Sequence, residues 1–97
     1  MLYTVNKAPL SANNLESVLR VAQAGSPILL YEDGVYAVLP GARSADTVST
    51  ALAKHPVYAL DADMEARGVK AVIDGIQVIG FEGFVELVEQ HDVAPWL

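Results

Sequence analysis

Four carboxylates beside two apolar runs are the side chains of this 97-residue sequence best placed for chemistry. They are Glu32, Asp33, Asp61 and Asp63, and we call them the acidic rim. The apolar runs that precede them are residues 28–31 and 57–60. If both runs are parallel strands, their carboxyl ends meet at one edge of a sheet, where open α/β sheets bind ligands. Such a rim could perform acid–base chemistry or hold a hard cation.

A structural interpretation of the acidic rim is the one we favour. Asp33 and Gly34 are typical of a turn, and Asp61 is expected to cap a helix, because aspartate is preferred at both kinds of position. No third ligand accompanies these carboxylates at a metal-binding spacing. The sequence therefore predicts neither a metal site nor a cofactor, although an enzyme or ligand-binding protein that uses the rim stays as an alternative.

No nucleophile motif accompanies the acidic rim. The sequence has no cysteine, which removes thiol catalysis and thiolate metal ligands. His55 precedes a proline at a predicted helix end, and His91 continues the apolar spacing of the last helix, so we interpret both as structural. No serine lies in a Gly-x-Ser-x-Gly elbow and no phosphate-binding loop occurs. The sequence therefore predicts no catalytic residue.

Short β-prone runs alternate with segments of helical spacing along the chain. The predicted strands are residues 2–5, 28–31, 57–60 and 76–79. The predicted helical segments are residues 14–24, a short turn after Gly34, and residues 45–54, 61–67 and 81–91. This alternation predicts one α/β domain spanning residues 1–97, with a mainly parallel sheet of about four strands and helices on both faces.

Capping patterns set the predicted helix starts. Asn13, with Glu16 three residues later, matches a capping box, and Ser44 is expected to cap the second long helix. Asp63 and Arg67 stand at i and i+4 on the third helical segment and are expected to pair.

The last predicted helix carries an apolar stripe. We expect it to bury Phe84, Leu87 and Val88, and to be ended by Pro95.

The composition favours a protein that associates with partners. Hydrophobic residues make up 53% of the sequence and the mean hydropathy is +0.32. A domain of this size buries only about 60–65% of the surface that its unfolded chain exposes. Surplus apolar side chains then form surface patches, and such patches usually mark partner surfaces.

Charge and hydropathy also argue against nucleic-acid binding and against membrane insertion. A net charge of −6 argues against direct binding of nucleic acid. No run approaches the roughly 20 apolar residues of a membrane span, and the start lacks signal-peptide character. We therefore expect a cytoplasmic protein.

Five residues are candidates for a partner interface. Tyr31 and Tyr36 flank the turn that contains Asp33, and Trp96 and Leu97 end the chain with two large apolar side chains. Because chain ends usually fray, this ending indicates docking, either on the chain's own body or on a neighbour.

The sequence resembles the TusB/DsrH family over essentially its whole length. Residues 2–9, Leu-Tyr-Thr-Val-Asn-Lys-Ala-Pro, are similar to the family opening Leu-His-Thr-Val-Asn-Lys-Ser-Pro. The segments Leu-Glu-Ser-Val-Leu-Arg at 15–20, Ile-Leu-Leu-Tyr-Glu-Asp-Gly-Val-Tyr-Ala at 28–37, the segment 57–68, Phe-Val-Glu-Leu at 84–87 and the closing Trp-Leu follow at the family's spacing. Their order and spacing together carry the resemblance.

This resemblance implies a subunit of a heterohexamer with TusC/TusD-like or DsrE/DsrF-like partners, in a DsrE/F/H-like three-layer sandwich. In the TusBCD form the complex passes sulfur toward 2-thiolation of the wobble uridine of certain tRNAs. In the DsrEFH form a similar complex carries sulfur during intracellular sulfur oxidation. In both, the D- or E-type subunit holds the principal persulfide cysteine.

Departures from the family favour a scaffold role. Val18 stands where many DsrH chains and some TusB chains carry a cysteine, and it lies at the edge of the apolar stripe of the first helix. Tyr3 and Ala8 replace a histidine and a serine. Our leading hypothesis is a non-catalytic sulfur-relay subunit of the TusB kind, the first alternative being a DsrH-like subunit in sulfur oxidation. Two further alternatives are the enzyme or ligand-binding protein that uses the acidic rim, and a self-associating module that forms a homo-oligomer when isolated.

Overall fold

A five-stranded parallel sheet organises the computed structural model, which describes residues 1–9 and 12–97. The strands are β1 (Leu2–Val5), β2 (Ile28–Leu30), β3 (Val57–Leu60), β4 (Gln77–Ile79) and β5 (Val93–Trp96). The helices are α1 (Asn14–Val21), a 3₁₀ helix (Glu32–Val38), α2 (Ala45–Lys54), α3 (Asp61–Ala66) and α4 (Phe81–Gln90). The strand order is β4-β3-β2-β1-β5, and every neighbouring pair is parallel.

The sheet carries helices on both faces, as predicted. Alternate side chains of the inner strands, such as Ile28 and Leu30, join the larger core cluster with residues of α1, the 3₁₀ helix, α2 and α3. Side chains of the opposite parity, Leu2 and Leu29, pack with Leu87 of α4 in a second cluster. Every residue of β1 and β2 is buried, which explains why these strands show no polar alternation.

Strand β5 was not predicted, so the sheet has five strands where about four were expected. The segment Val93–Trp96 contains Pro95, which lacks an amide proton and argues against a central strand. In the structure β5 lies at the sheet edge and pairs only with β1, and an edge strand tolerates proline. The prediction that Pro95 ends the last helix was wrong, because α4 ends at Gln90 and His91 is already extended.

Asn13 and Ser44 occupy the N-cap positions of α1 and α2, as predicted, but without the side-chain bonds of a cap. Such a bond needs the extended backbone of an N-cap residue, whereas Ser44 has helical angles of φ −78° and ψ −1°. Helix α1 ends at Val21 and not at residue 24, because Ala22 is already extended. Asp61 is the first residue of α3 and not its cap, a position that Leu60 occupies.

The apolar stripe of α4 is narrower than predicted. Leu87 is buried and Phe84 half-buried, but Val88 is 39% exposed. Among the described residues, the core cluster on this face of the sheet includes side chains of α4 and of no other helix. Within the same residues, no helix combines the length and hydrophobicity needed to cross a bilayer.

Candidate functional site

Arg67 organises the acidic rim at the carboxyl ends of β2 and β3. Its Nε donates a hydrogen bond of 2.8 Å to Oδ1 of Asp33, and its Nη1 lies 3.7 Å from Oδ1 of Asp63. The hydrogen bond that Arg67 donates to Asp33 and the negative charge of both carboxylates raise the pKa of Arg67 above its ordinary value. The predicted i, i+4 pair of Asp63 and Arg67 is therefore confirmed, and Arg67 also reaches Asp33, 34 positions away in sequence.

The same cluster shapes the turn that leaves β2. The amide of Glu32 donates a 2.7 Å hydrogen bond to Oδ2 of Asp63. Glu32 has a φ of +48°, a left-handed conformation that is strained for a side-chain-bearing residue. The hydrogen bond to Asp63 holds Glu32 in this conformation. Asp63 therefore stabilises the start of the 3₁₀ helix in addition to pairing with Arg67.

Two of the four rim carboxylates, those of Asp33 and Asp63, thus form an ion-pair cluster with Arg67 that has a structural role. Asp33 and Asp63 face one cation, while Asp61 is exposed. Over residues 1–9 and 12–97, no three His, Cys, Asp or Glu side chains come together as a metal site requires. The sequence interpretation did not identify Arg67 as the partner of Asp33. Arg67 is the single basic residue of the acidic segment 61–67, and this isolation could have indicated that it pairs with carboxylates.

Replacing Asp63 with alanine should destabilise the protein by about 1 kcal/mol, the net value of one lost hydrogen bond to the strained Glu32 amide. The free energy of unfolding from urea denaturation measures this. Glu65→Ala is the matched control, because Glu65 is exposed on the same helix and should change stability by less than about 0.5 kcal/mol. Equal effects of the two variants would contradict the proposed role of Asp63.

The two histidines lie at helix ends. His55 is the C-cap of α2 and is 5% exposed. Its Nδ1 lies 2.9 Å from the carbonyl oxygen of Ser26, and since a carbonyl only accepts, Nδ1 carries the proton. His91 is the half-buried C-cap of α4. His55 therefore joins α2 to the loop before β2.

The candidate interface residues fall into two groups along the carboxyl edge of the sheet. Tyr31 is half-buried, Tyr36 is 37% exposed, and Asp33 is exposed beside Arg67. Trp96 docks on the chain's own body, since its ring packs edge-on against Tyr3 at 5.6 Å between centroids.

The last two residues differ sharply in their contacts. The carbonyl of Trp96 also accepts a 3.3 Å hydrogen bond from Nδ2 of Asn14. Leu97, the next residue, is 76% exposed. Of the two, only Leu97 offers a large apolar side chain to a neighbour.

Sequence reasoning missed the most exposed aromatic side chain at the start of α4. Phe81 is 73% exposed, and Val78, three residues earlier at the middle of β4, is 47% exposed. Phe81 contacts Phe84 with ring centroids 6.3 Å apart. A phenylalanine directly after a strand and a glycine offered the signal, but helical periodicity alone does not show that α4 leaves this position uncovered.

Val18 lies in the centre of the core and not at the edge of the apolar stripe. It is fully buried and belongs to the larger core cluster with Leu15. By contrast, Val21 on the same helix is 55% exposed. The side chain at position 18 is therefore a packing residue shielded from solvent.

A protein-family model described as "DsrH like protein" matches residues 7–94 of the chain. Among curated relatives, Protein TusB of Serratia proteamaculans is 40% identical over 92 residues, which cover 94% of each chain. Protein TusB of Sodalis glossinidius is 39% identical over 94 residues, and that of Escherichia coli K12 is 35% identical over 92 residues, again covering 94% of each chain.

Solved structures share the fold. The crystal structure of the ychN protein from Escherichia coli matches with a TM-score of 0.79 and 17% sequence identity, covering 97% of this chain and 96% of that one. The solution structure of Tm0979 from Thermotoga maritima matches with a TM-score of 0.64 and 22% identity, covering 95% of each chain. At these identities the likeness concerns the three-layer α/β architecture.

Proposed function

Because the chain belongs to the DsrH-like protein family, we propose that it is a non-catalytic, TusB-like subunit of a cytoplasmic sulfur-relay complex that supports 2-thiolation of the wobble uridine in tRNA. Its relatives named Protein TusB align over 94% of the chain, which favours thiolation over sulfur oxidation. The expected partners are TusC- and TusD-like chains.

The absence of cysteine from the sequence carries the non-catalytic part of this proposal. A sulfur carrier holds sulfane sulfur as a persulfide, which forms by attack of a thiolate. Neither His55 nor His91 supplies a substitute, because a persulfide needs a cysteine sulfur and an imidazole has none. The paired carboxylates of the acidic rim are not sulfur nucleophiles either. The chain therefore contributes by holding a partner's thiol in place.

Exposed apolar side chains supply the proposed partner surface. Tyr31, Asp33, Tyr36, Trp96 and Leu97 stay the predicted interface residues. Leu97 is the most exposed of them, whereas Trp96 packs on Tyr3 and would support the surface from behind. Phe81 and Val78 extend the list at the junction of β4 and α4. An exposed phenylalanine is a common energetic anchor, because burying its ring removes a large apolar area from water.

Co-expression with TusC- and TusD-like chains of the same organism tests the proposal. We expect a complex that survives size-exclusion chromatography. After incubation with a sulfane-sulfur donor, the label should sit on the cysteine-bearing partner and be missing from this chain. Elution of this chain alone, or stable labelling of this chain, would contradict the proposal.

Phe81→Asp should weaken assembly of that complex at least about tenfold, as expected for a buried aromatic anchor. Phe81 is the first residue of α4, where an aspartate favours the helix dipole, so the fold should be retained. Glu89→Ala, at an exposed position of the same helix, is the control and should assemble normally. Pull-down with titrated partner measures the difference, and unchanged binding of Phe81→Asp would exclude this surface.

A further inference from the structure

Strand β4 forms an open edge of the sheet. Among residues 1–9 and 12–97 it pairs with β3 only. The backbone N–H and C=O groups of successive residues in a strand point alternately to its two sides. An edge strand therefore turns the backbone groups of every second residue away from the sheet, where another strand can pair with them.

Val78 is the residue of β4 whose backbone groups point outward. The amide of Ile28 in β2 donates to the carbonyl of Pro56, so Pro56 and every second residue of β3 after it bond to β2. Ala59 falls between these residues and bonds to β4. The residue opposite Ala59 is Val78, and in a parallel pair a residue bonds to the two neighbours of its opposite residue. The N–H and C=O of Val78 itself therefore face away from β3, where the described part of the chain places no further strand.

The opposite edge of the sheet is blunted, whereas the edge at β4 is not. The carbonyl of Asp92, just before β5, accepts a hydrogen bond from the amide of Leu2, and the same alternation turns Pro95 outward. Proline has no N–H to offer a further strand. Proteins blunt exposed edges with such prolines and with charged side chains. The segment 75–81, Gly-Ile-Gln-Val-Ile-Gly-Phe, contains neither, and we call it the β4 edge.

Large apolar side chains lie exposed along the β4 edge. Val78 is 47% exposed, and Phe81 is 73% exposed. A strand that pairs with Val78 lies about 5 Å from β4, within reach of both side chains. Backbone pairing and burial of apolar surface are thus available at the same place.

Two carboxylates bracket the β4 edge and select its partner. Asp74 and Glu82 stand four positions before and after Val78, and both are exposed. Two copies of β4, paired antiparallel about a two-fold axis at Val78, would place Asp74 of each copy opposite Glu82 of the other, and like charges opposite each other are destabilising. A strand with lysine or arginine at its ends would instead be attracted. The charges therefore favour a strand of another chain over a second copy of this one.

We propose that the β4 edge binds an extended strand of a partner subunit. The middle of that strand is apolar, pairs with Val78 and covers Phe81, and basic residues at its ends face Asp74 and Glu82. The sheet of this chain then continues into the partner, as in other cases of strand addition. This inference rests on the proposed function and deepens it, because it names the segment that holds the partner.

Hydrogen exchange of the backbone amides, measured by NMR on the free chain and on its complex with TusC- and TusD-like chains, tests the inference. The Val78 amide should exchange at least about tenfold more slowly in the complex, because a hydrogen bond to the partner protects it. The Ile79 amide bonds to β3 in both states and is the internal reference. A complex in which Val78 exchanges as fast as in the free chain would overturn this inference and leave the proposed function intact, whereas failure to form any complex would overturn both. Protection of Val78 in the free chain that grows with its concentration would identify a second copy as the occupant and overturn the choice of partner.

Two variants separate the amide of Val78 from its side chain. Val78→Pro removes an amide that faces away from β3, so the fold should be retained, and assembly should weaken about tenfold or more. Val78→Ala keeps the amide and should weaken assembly less. Circular dichroism verifies the fold of both variants. Unchanged assembly of a folded Val78→Pro variant would contradict the inference, and if this variant does not fold, the hydrogen-exchange measurement decides alone.

A double variant, Asp74→Lys with Glu82→Lys, tests the charges. It should weaken assembly about tenfold at low ionic strength, and the loss should shrink in about 1 M salt, where exposed charges are screened. Glu16→Lys with Asp92→Lys is the matched control, because it changes the net charge equally at exposed positions outside the β4 edge. Equal losses in the two double variants would overturn the assignment of basic residues to the partner strand.

Discussion

Replacing Gly34 with alanine should destabilise the protein by about 3 kcal/mol or more, as severe overpacking against backbone does. A Cβ at Gly34 would overlap the carbonyl oxygen of Val5 and lie 3.0 Å from its carbonyl carbon. Both atoms belong to the buried strand β1, so neither can rotate away as a side chain would. The same oxygen accepts the 3.1 Å hydrogen bond from Tyr31, which a shift of the backbone would break.

Urea denaturation of Gly34→Ala, followed by far-ultraviolet circular dichroism, measures this loss. Gly80→Ala is the matched control, because a Cβ there meets only Oδ2 of Asp61 at 3.5 Å, an ordinary contact. Gly80 is the N-cap of α4, so its replacement should cost no more than about 1 kcal/mol. If the two variants have the same free energy of unfolding, the close approach of Gly34 to β1 does not exist in solution.

A thiol introduced by Val18→Cys should react with a disulfide reagent at least about a hundredfold more slowly than one introduced by Val21→Cys, since it is reached only when α1 opens. Val18 is 0% exposed and Val21 is 55% exposed on the same helix. Cysteine packs as a small hydrophobic side chain, so Val18→Cys should keep the fold. The rate of reaction with Ellman's reagent in native buffer gives the ratio, and reaction in urea should bring the two rates together.

The outcome of this comparison bears on sulfur transfer. Val18 occupies the position at which the family resemblance places a cysteine in other chains. A protected thiol in Val18→Cys would mean that this chain shields the position in its core and that exchange with a sulfur donor requires opening of α1. Equal rates for the two variants would contradict the burial of Val18 and reopen a direct role for this position.

The sequence by itself determined the α/β class, four of the strands and the absence of a thiol. These features are local: apolar runs such as residues 2–5 and 57–60 and the spacing of Leu15 and Val18 report strand and helix without knowledge of neighbours. The resemblance to the family also lies in the sequence, since it depends on the order of short segments. Cysteine content needs no structure at all, and the proposed scaffold role follows from it.

Only the tertiary structure decided which residues meet. Arg67 and Asp33 are 34 positions apart, and they meet because parallel strands bring distant loops to one edge of the sheet. Strand β5 was not predicted because it contains Pro95. Proline disrupts the hydrogen bonding of a central strand but is tolerated in an edge strand, and the sequence does not show which of the two a strand will be. The exposure of Phe81 depends on which helices cover the sheet. These features depend on packing between segments that are distant in sequence, so the periodicity of a single segment cannot predict them.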